Sequence, residues 1–288
     1  MPFAKNDVVR HPRKPEWGLG KVLADCDDSS VRVFFVDAGE KTLNQDFAQL
    51  VKVPASESGH ALLQNLKVTK GGKGIGFQSL PTLIKKFERQ FPGGFSGDAY
   101  FKEEREYKLA AHSLMKELLD ESGFQCLLEN RGHEEISKRA RAVVNKTNLI
   151  FPNEKMALKE GLESGANAEA FSGALFSLLY GKEGMQQRFE RFGDCLEALG
   201  AAKWTTATYF LFVRFPQGHM FMKPEVTQEA AKVCNFELSY KADLNWATYE
   251  KLTAFSRYLF RELTTNGLPP VDMIDVQSFI WCTGESNA

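Results

Sequence analysis

Apolar positions in the first 53 residues come in short runs that alternate with polar ones and are punctuated by turn formers. Val8 and Val9 predict a strand over residues 7–10 that stops at Pro12. Residues 18–24 predict a second strand and residues 31–36 a third, rich in β-branched and aromatic side chains. The polar stretch 25–30 between them predicts a hairpin turn. Asp37-Ala38-Gly39 predicts the next turn, with strands at 40–43 and 47–53 to complete the set. Five strands this short are too few for a sandwich, and a small closed barrel buries their apolar faces and removes the edges. Val31, Val33 and Phe35 alternate onto one face, assigned to the interior, which sends Arg32, Phe34 and Val36 the other way.

The period then changes. Residues 54–76 are rich in Ser, Gly and Lys and predict a linker, with one short helix at 61–66. From Ser79, apolar spacing is helical. Ser79 caps a helix with Pro81 in its first turn, running to Gln90, and Pro92-Gly93-Gly94 ends it. Further helices are predicted over 98–120, 134–147, 154–163, 168–180, 184–199, 225–233, 245–264 and 271–281. Residues 204–215, rich in Thr, Tyr, Phe and Val, favour a strand, with a buried helix as the alternative, and 219–224 reads as loop or strand. No fixed repeat period appears, which favours a compact helical bundle over a solenoid. The fold class is α+β and multidomain: an all-β barrel over 1–53, a linker over 54–76 and a mainly α-helical domain over 77–288.

Four stretches of the N-terminal region carry a resemblance. They are Val9-Arg10-His11-Pro12, Trp17-Gly18-Leu19-Gly20-Lys21-Val22, Val31-Arg32-Val33-Phe34-Phe35 and Asp37-Ala38-Gly39-Glu40-Lys41-Thr42-Leu43. In this order they resemble a family of small Tudor-like bacterial domains. That family is similar to the C-terminal Tudor-like domain of bacterial repair helicases and to the RNA-polymerase-interacting domain of CarD-type regulators. The resemblance implies an SH3-like barrel used for docking, in several relatives onto RNA polymerase. On this barrel an outward Phe34 near Trp17, rimmed by Arg13, Lys14 and Arg32, forms an apolar docking patch. The alternatives are that Phe34 packs against the helical domain, or that Trp17, Phe34 and Phe47 cage a methylated lysine. Residues 204–281 resemble an uncharacterised bacterial module, which adds no chemistry.

Charge and composition narrow the function classes. Lys+Arg total 36 and Asp+Glu 37, so no global basic field draws the chain to nucleic acid. Two stretches lean basic: 67–108, with Lys70, Lys73, Lys85, Lys86 and Arg89, and 131–146, with Lys138, Arg139 and Arg141. They are either nucleic-acid contacts or solvated helix faces. The five cysteines are scattered, with no C-x-x-C pair, which predicts buried free thiols in a reducing compartment. Residues 1–10 lack the apolar core of a signal peptide and no apolar run is of spanning length, so a cytoplasmic protein without membrane contact is expected.

No catalytic constellation is evident, and no metal or cofactor is expected. The run Lys70-Gly71-Gly72-Lys73-Gly74-Ile75-Gly76 is not a Walker loop, because Phe77 and Gln78 stand where a Gly-Lys-Ser/Thr ending is required. His133-Glu134-Glu135 lacks a second histidine at metal-binding spacing. Asp272 and Asp275 are three apart, as helix caps or as a divalent-ion pair. Arg214, His219, Lys223 and Tyr240 group cations and donors around an aromatic segment, which suits an anion or a nucleic-acid backbone. The resulting expectation is a non-enzymatic adaptor that docks through its barrel onto a macromolecular partner, RNA polymerase or a nucleic-acid-processing complex, with DNA or RNA as a second contact. The alternative is a nucleic-acid-acting enzyme in which Arg214, His219, Lys223, Asp272 and Asp275 share one cleft.

Overall fold

A computed structural model of the chain describes residues 3–24, 30–44, 49–67 and 77–284. Cys26, Phe47, Lys70 and Lys73, with the whole glycine-lysine run, lie outside the described residues.

The five expected strands are present as β1 (Val8–Arg10), β2 (Leu19–Val22), β3 (Ser30–Phe35), β4 (Gly39–Asn44) and β5 (Val51–Lys52). They form one antiparallel sheet in the order β4-β3-β2-β1-β5, so β4 and β5 are its two ends. Alternation sets its two faces. Val31, Val33 and Phe35 join Val9 and Val22 in a small core within the sheet. Gly20 lies where a Cβ would stand 2.6 Å from Val33 and 2.7 Å from Phe35, so only glycine fits beneath that core.

The other face of β3 is not free. Phe34 and Val36 belong to the core of the helical region, together with Leu62 and Leu63. The Phe34 ring meets Phe77 edge-on at 5.2 Å. Gly39, at φ +69°, sits where a Cβ would stand 2.7 Å from the Phe77 ring.

Within residues 54–67, expected as part of a linker, residues 54–57 and 59 are exposed, whereas the stretch 60–66 is packed. Helix α1 (Ala61–Gln64) buries Leu62 and Leu63. The Lys21 ammonium donates to the Leu63 carbonyl at 2.9 Å, which ties α1 to the sheet. Backbone bonds Lys67 N–H to Asn235 O (2.9 Å) and Glu237 N–H to Asn65 O (2.7 Å) tie the same segment to the helices. A buried chain must satisfy its polar backbone groups, and these bonds do so.

The helical region begins with α2 (Leu80–Gln90) and α3 (Asp98–Tyr100), then a π turn at Phe101–Arg105 and α4 (Glu106–Leu118). Next come α5 (Glu121–Glu129), α6 (His133–Asn145), α7 (Pro152–Gly161), α8 (Gly165–Tyr180) and α9 (Met185–Ala198). Last among the described residues come α10 (Trp204–Arg214), α11 (Pro224–Val233), α12 (Trp246–Thr265) and α13 (Met273–Thr283). Helix α8 packs on α5, α6 and α9, and α13 packs among α2, α11 and α12. Helix α5, nine residues long, goes unread in the sequence, although Phe124, Leu127 and Leu128 stand at helical spacing. Its sign is Asp120, whose carboxylate caps the Gly123 N–H at 3.0 Å.

Residues 204–215, which favour a strand by composition, are helical. Every residue of α10 from Trp204 to Val213 is buried, packed against α4, α8 and α9. Among the described residues of this region no strand is available as a neighbour, and only a helix satisfies its own backbone. Thr208 bonds back to the Trp204 carbonyl at 2.7 Å and accepts from the Met222 N–H at 2.9 Å, so its hydroxyl is satisfied without a sheet. The cysteines differ in burial: Cys234 and Cys282 are buried as expected, Cys195 is half-buried and Cys126 is exposed.

Candidate anion-binding groove

The docking patch expected around Trp17 and Phe34 does not form. Trp17 packs on His11 and on Phe35, each at 5.1 Å between ring centroids, with the Lys41 ammonium 5.8 Å from its ring. Phe34 is the neighbour of Phe35 on a strand and must point to the opposite face. It is 1 % exposed, under the helices. Arg32 is held by Glu40 at 2.6 Å. Arg13 and Lys14 are exposed near Trp17 in the chain, and Lys14 pairs with Glu16 at 3.5 Å.

The basic helix positions separate in the same way. Lys85 and Arg89 are exposed one turn apart on α2, while Lys86 donates to the Thr283 carbonyl at 3.3 Å. On α6, Lys138 and Arg139 both pair with Glu135, at 3.7 and 2.9 Å, and Arg139 also donates to the Leu118 carbonyl. Arg141 is half-buried. Exposed pairs of this kind contribute little to stability.

Of Arg214, His219, Lys223 and Tyr240, the structure brings two together. Arg214 donates to the Tyr180 hydroxyl at 2.9 Å and lies 4.8 Å from the Phe215 ring, and His219 flanks the same ring. Lys223 instead sits over the rings of Trp281 (4.1 Å) and Phe151 (4.7 Å). Tyr240 stands beside Trp204 in a separate cleft of about 400 Å³. That cleft is acidic: α9 places Glu190, Asp194 and Glu197 along one side, facing Glu154 and Asp243.

Asp272 and Asp275 are structural. Asp272 caps α13 by accepting from the Ile274 N–H at 2.9 Å, and Asp275 accepts from the Val271 N–H at 2.7 Å. Arg105, from the π turn, bridges both: Nη1 donates to Asp272 (2.9 Å) and Asp275 (2.6 Å), and Nη2 to Asp272 (2.8 Å). The Tyr100 hydroxyl completes the group on Asp275 at 2.5 Å. Burial raises the Asp275 pKa, opposed by Tyr100, the Val271 N–H and Arg105. Beside this group Lys108, 1 % exposed, donates to Ser278 at 2.8 Å and Glu104 at 3.0 Å, and its burial lowers its pKa. These residues line neither the acidic cleft beside Trp204 nor the cavities along α12. No metal-ligating cluster is found among the described residues.

The groove that does form runs along α12. Asn245 caps this helix by accepting from the Thr248 N–H at 2.8 Å. Leu252, Phe255, Leu259 and Leu263 are its buried stripe. A second face carries Trp246, Glu250, Thr253, Arg257 and Arg261, spaced three or four residues apart, with Ala254 beside Thr253. These side chains line two cavities of about 360 and 530 Å³, which share Gly218, Ala254 and Arg257. The opposite wall is the turn after α10, where the Gly218 and His219 N–H groups both bond to the Phe215 carbonyl. Gln64 and Asn65, at the end of α1, close the far end.

The groove is cationic and partly aromatic. Arg257 and Arg261 are exposed along it, and Glu250 is its one lining carboxylate among the described residues. Arg188 lies close enough to act on His219 by charge, and its Nε is buried without a hydrogen-bond partner. The His219 pKa is pushed down to about 4, first by burial and then by Arg188 and Arg257. Its ring is therefore neutral at pH 7 and offers hydrogen bonds, the first taken by the Tyr249 hydroxyl at 2.8 Å. The sequence points to His219 but not to Arg257, Arg261 or Trp246. The signal for them is the second periodic face of α12, polar and aromatic beside an apolar stripe.

No curated protein and no solved structure matches the chain. Among the described residues no helix is long and apolar enough to cross a membrane. Residues 3–53, the region that forms the sheet, match the family described as Protein of unknown function (DUF3553).

Proposed function

We propose that the protein is a non-enzymatic binding protein that holds a nucleic-acid chain in the α12 groove. The N-terminal sheet serves as its docking part for a macromolecular partner, RNA polymerase or a nucleic-acid-processing complex. The observation that carries this reading is the pairing of Arg257 and Arg261 with aromatic walls in one open groove. Phosphates supply the matching charge and bases the matching flat surfaces.

The sheet's part rests on the resemblance of its four motifs to Tudor-like docking domains, and its strand order is compatible with an SH3-like barrel. With Phe34 covered, the surface left for docking is the Trp17 side, with Lys41, Arg13 and Lys14. Segment 54–67 links the two parts: it is bonded to the sheet through Lys21 and walls the groove through Gln64 and Asn65. A partner held by the sheet and a strand held by the groove are thereby kept at a fixed spacing.

The test is a titration of a short labelled oligonucleotide by fluorescence anisotropy, with R257E/R261E beside the wild type. Removing one cation from the phosphate backbone lowers the slope of log affinity against log salt by about 1. The double reversal is expected to weaken binding at least about tenfold and lower that slope by about 2. A folded double variant with wild-type affinity would remove the groove from this function.

A further inference from the structure

We infer that the groove takes single-stranded nucleic acid, with a base stacked on Trp246 and the following phosphates on Arg257 and Arg261. This rests on the nucleic-acid reading above and narrows it to one form of the ligand.

Size is the first argument. Cavities of 360 and 530 Å³ accept units the size of a small molecule, such as a nucleotide. A duplex presents stacked, paired bases inside a rigid rod and touches such a groove only with its outer phosphates. A single strand can place its bases within it.

The distribution of groups along α12 is the second argument. Trp246 is half-buried at the start of the helix. Tyr249 (5.5 Å) and Phe189 (6.2 Å) fix its indole ring from the protein side. Tyr249 is itself buried, so Trp246 is the ring this end offers to a ligand. Glu250 stands one turn on from Trp246, and a carboxylate there repels phosphate but accepts from the amino groups of bases. His219 in the same cavity adds a neutral imidazole, which also suits a base edge. The arginines come later, at positions 257 and 261, where Phe260 supplies a second half-buried ring. Trp246 and Phe260 are separated by about 21 Å of helix at 1.5 Å per residue, enough for a few nucleotides. One end of the groove is thus built for bases and the other for phosphates.

The experiment compares one labelled sequence as a single strand and as its annealed duplex against wild type, W246A and W246F, with R257E/R261E as control. The single strand is expected to bind at least about tenfold tighter than the duplex, since only it can use base stacking. W246A should cost about 5- to 150-fold on the single strand, which is the range for one stacked base. It should leave duplex binding within about twofold, because phosphate contacts are independent of the ring. W246F keeps a stacking ring and should recover most of the affinity. Single-strand addition should also quench tryptophan fluorescence in the wild type but not in W246F. Equal or tighter duplex binding that R257E/R261E abolishes would overturn the inference and leave the nucleic-acid reading standing. A W246F protein that is quenched like the wild type would also overturn it. Absence of binding to either form would overturn both.

Discussion

Replacing Arg105 with methionine is expected to destabilise the protein by about 3–5 kcal/mol, the usual cost of removing one partner from a buried ion pair. The side chains of Asp272 and Asp275 are 4 % and 0 % exposed, and Arg105 is the cation that bridges them. Without it, two carboxylates face each other out of water with no bridging cation. In a chain of this size each kcal/mol moves the thermal midpoint by about 2–4 °C, so a drop of roughly 10 °C should be seen by calorimetry. Tyr100→Phe removes only one hydrogen bond to Asp275 and is expected to cost far less, about 1–2 kcal/mol. The pair of results separates the ion cluster from the aromatic packing around it. A fall of less than about 1 kcal/mol for Arg105→Met would show that Asp272 and Asp275 are satisfied in another way.

Phe34→Ala is expected to cost about 3–5 kcal/mol, the range for truncating a buried phenylalanine. The ring is 1 % exposed and sits between the sheet and the helices against Phe77, so its loss opens a cavity at the junction of the two parts. The change should lower the thermal midpoint and make residues 54–67 more open to limited proteolysis, because that segment runs across the junction. Trp17→Ala is the contrasting variant. Its ring is half-buried on the sheet's own core, away from the junction. It should retain the packing of segment 54–67 but fail to capture the protein partner from a nuclease-treated lysate. Loss of partner capture by Phe34→Ala at unchanged stability would return Phe34 to the docking surface.

Much of this architecture is legible in the sequence, for a physical reason that also marks where reading fails. Period-2 alternation in β3 identifies Val31, Val33 and Phe35 as one face, because a strand has only two faces. It does not say what covers the second face. That depends on Phe77 and α1, more than 20 residues away in the chain. The strand-like composition of α10 is overridden by its surroundings, since a segment buried on all sides loses the amphipathic period that distinguishes helix from strand. Asp272 and Asp275 are legible as helix caps from their spacing, but their shared cation comes from a π turn about 170 residues earlier. The groove is the least legible feature. The apolar stripe of α12 is plain in the sequence, whereas its second face mixes Trp, Glu, Thr and Arg and reads as ordinary surface until the turn at 215–219 stands opposite it.

The chain's charges are nearly balanced, yet they are sorted in space. The groove gathers Arg257 and Arg261, with Arg188 in electrostatic range, while the cleft beside Trp204 gathers Glu154, Glu190, Asp194, Glu197 and Asp243. On the proposed reading, a polyanion is drawn to the first and repelled by the second, which favours the groove and raises the rate of productive encounter there.

The most direct measurement is hydrogen–deuterium exchange of the whole protein with and without a saturating short oligonucleotide. The expected footprint is slowed exchange in peptides covering 215–219 and 246–261, with α2 and α6 unchanged. Protection confined to the exposed cations of α2 and α6, around Lys85, Arg89 and Lys138, would contradict the account and place the nucleic-acid contact on those helix faces instead.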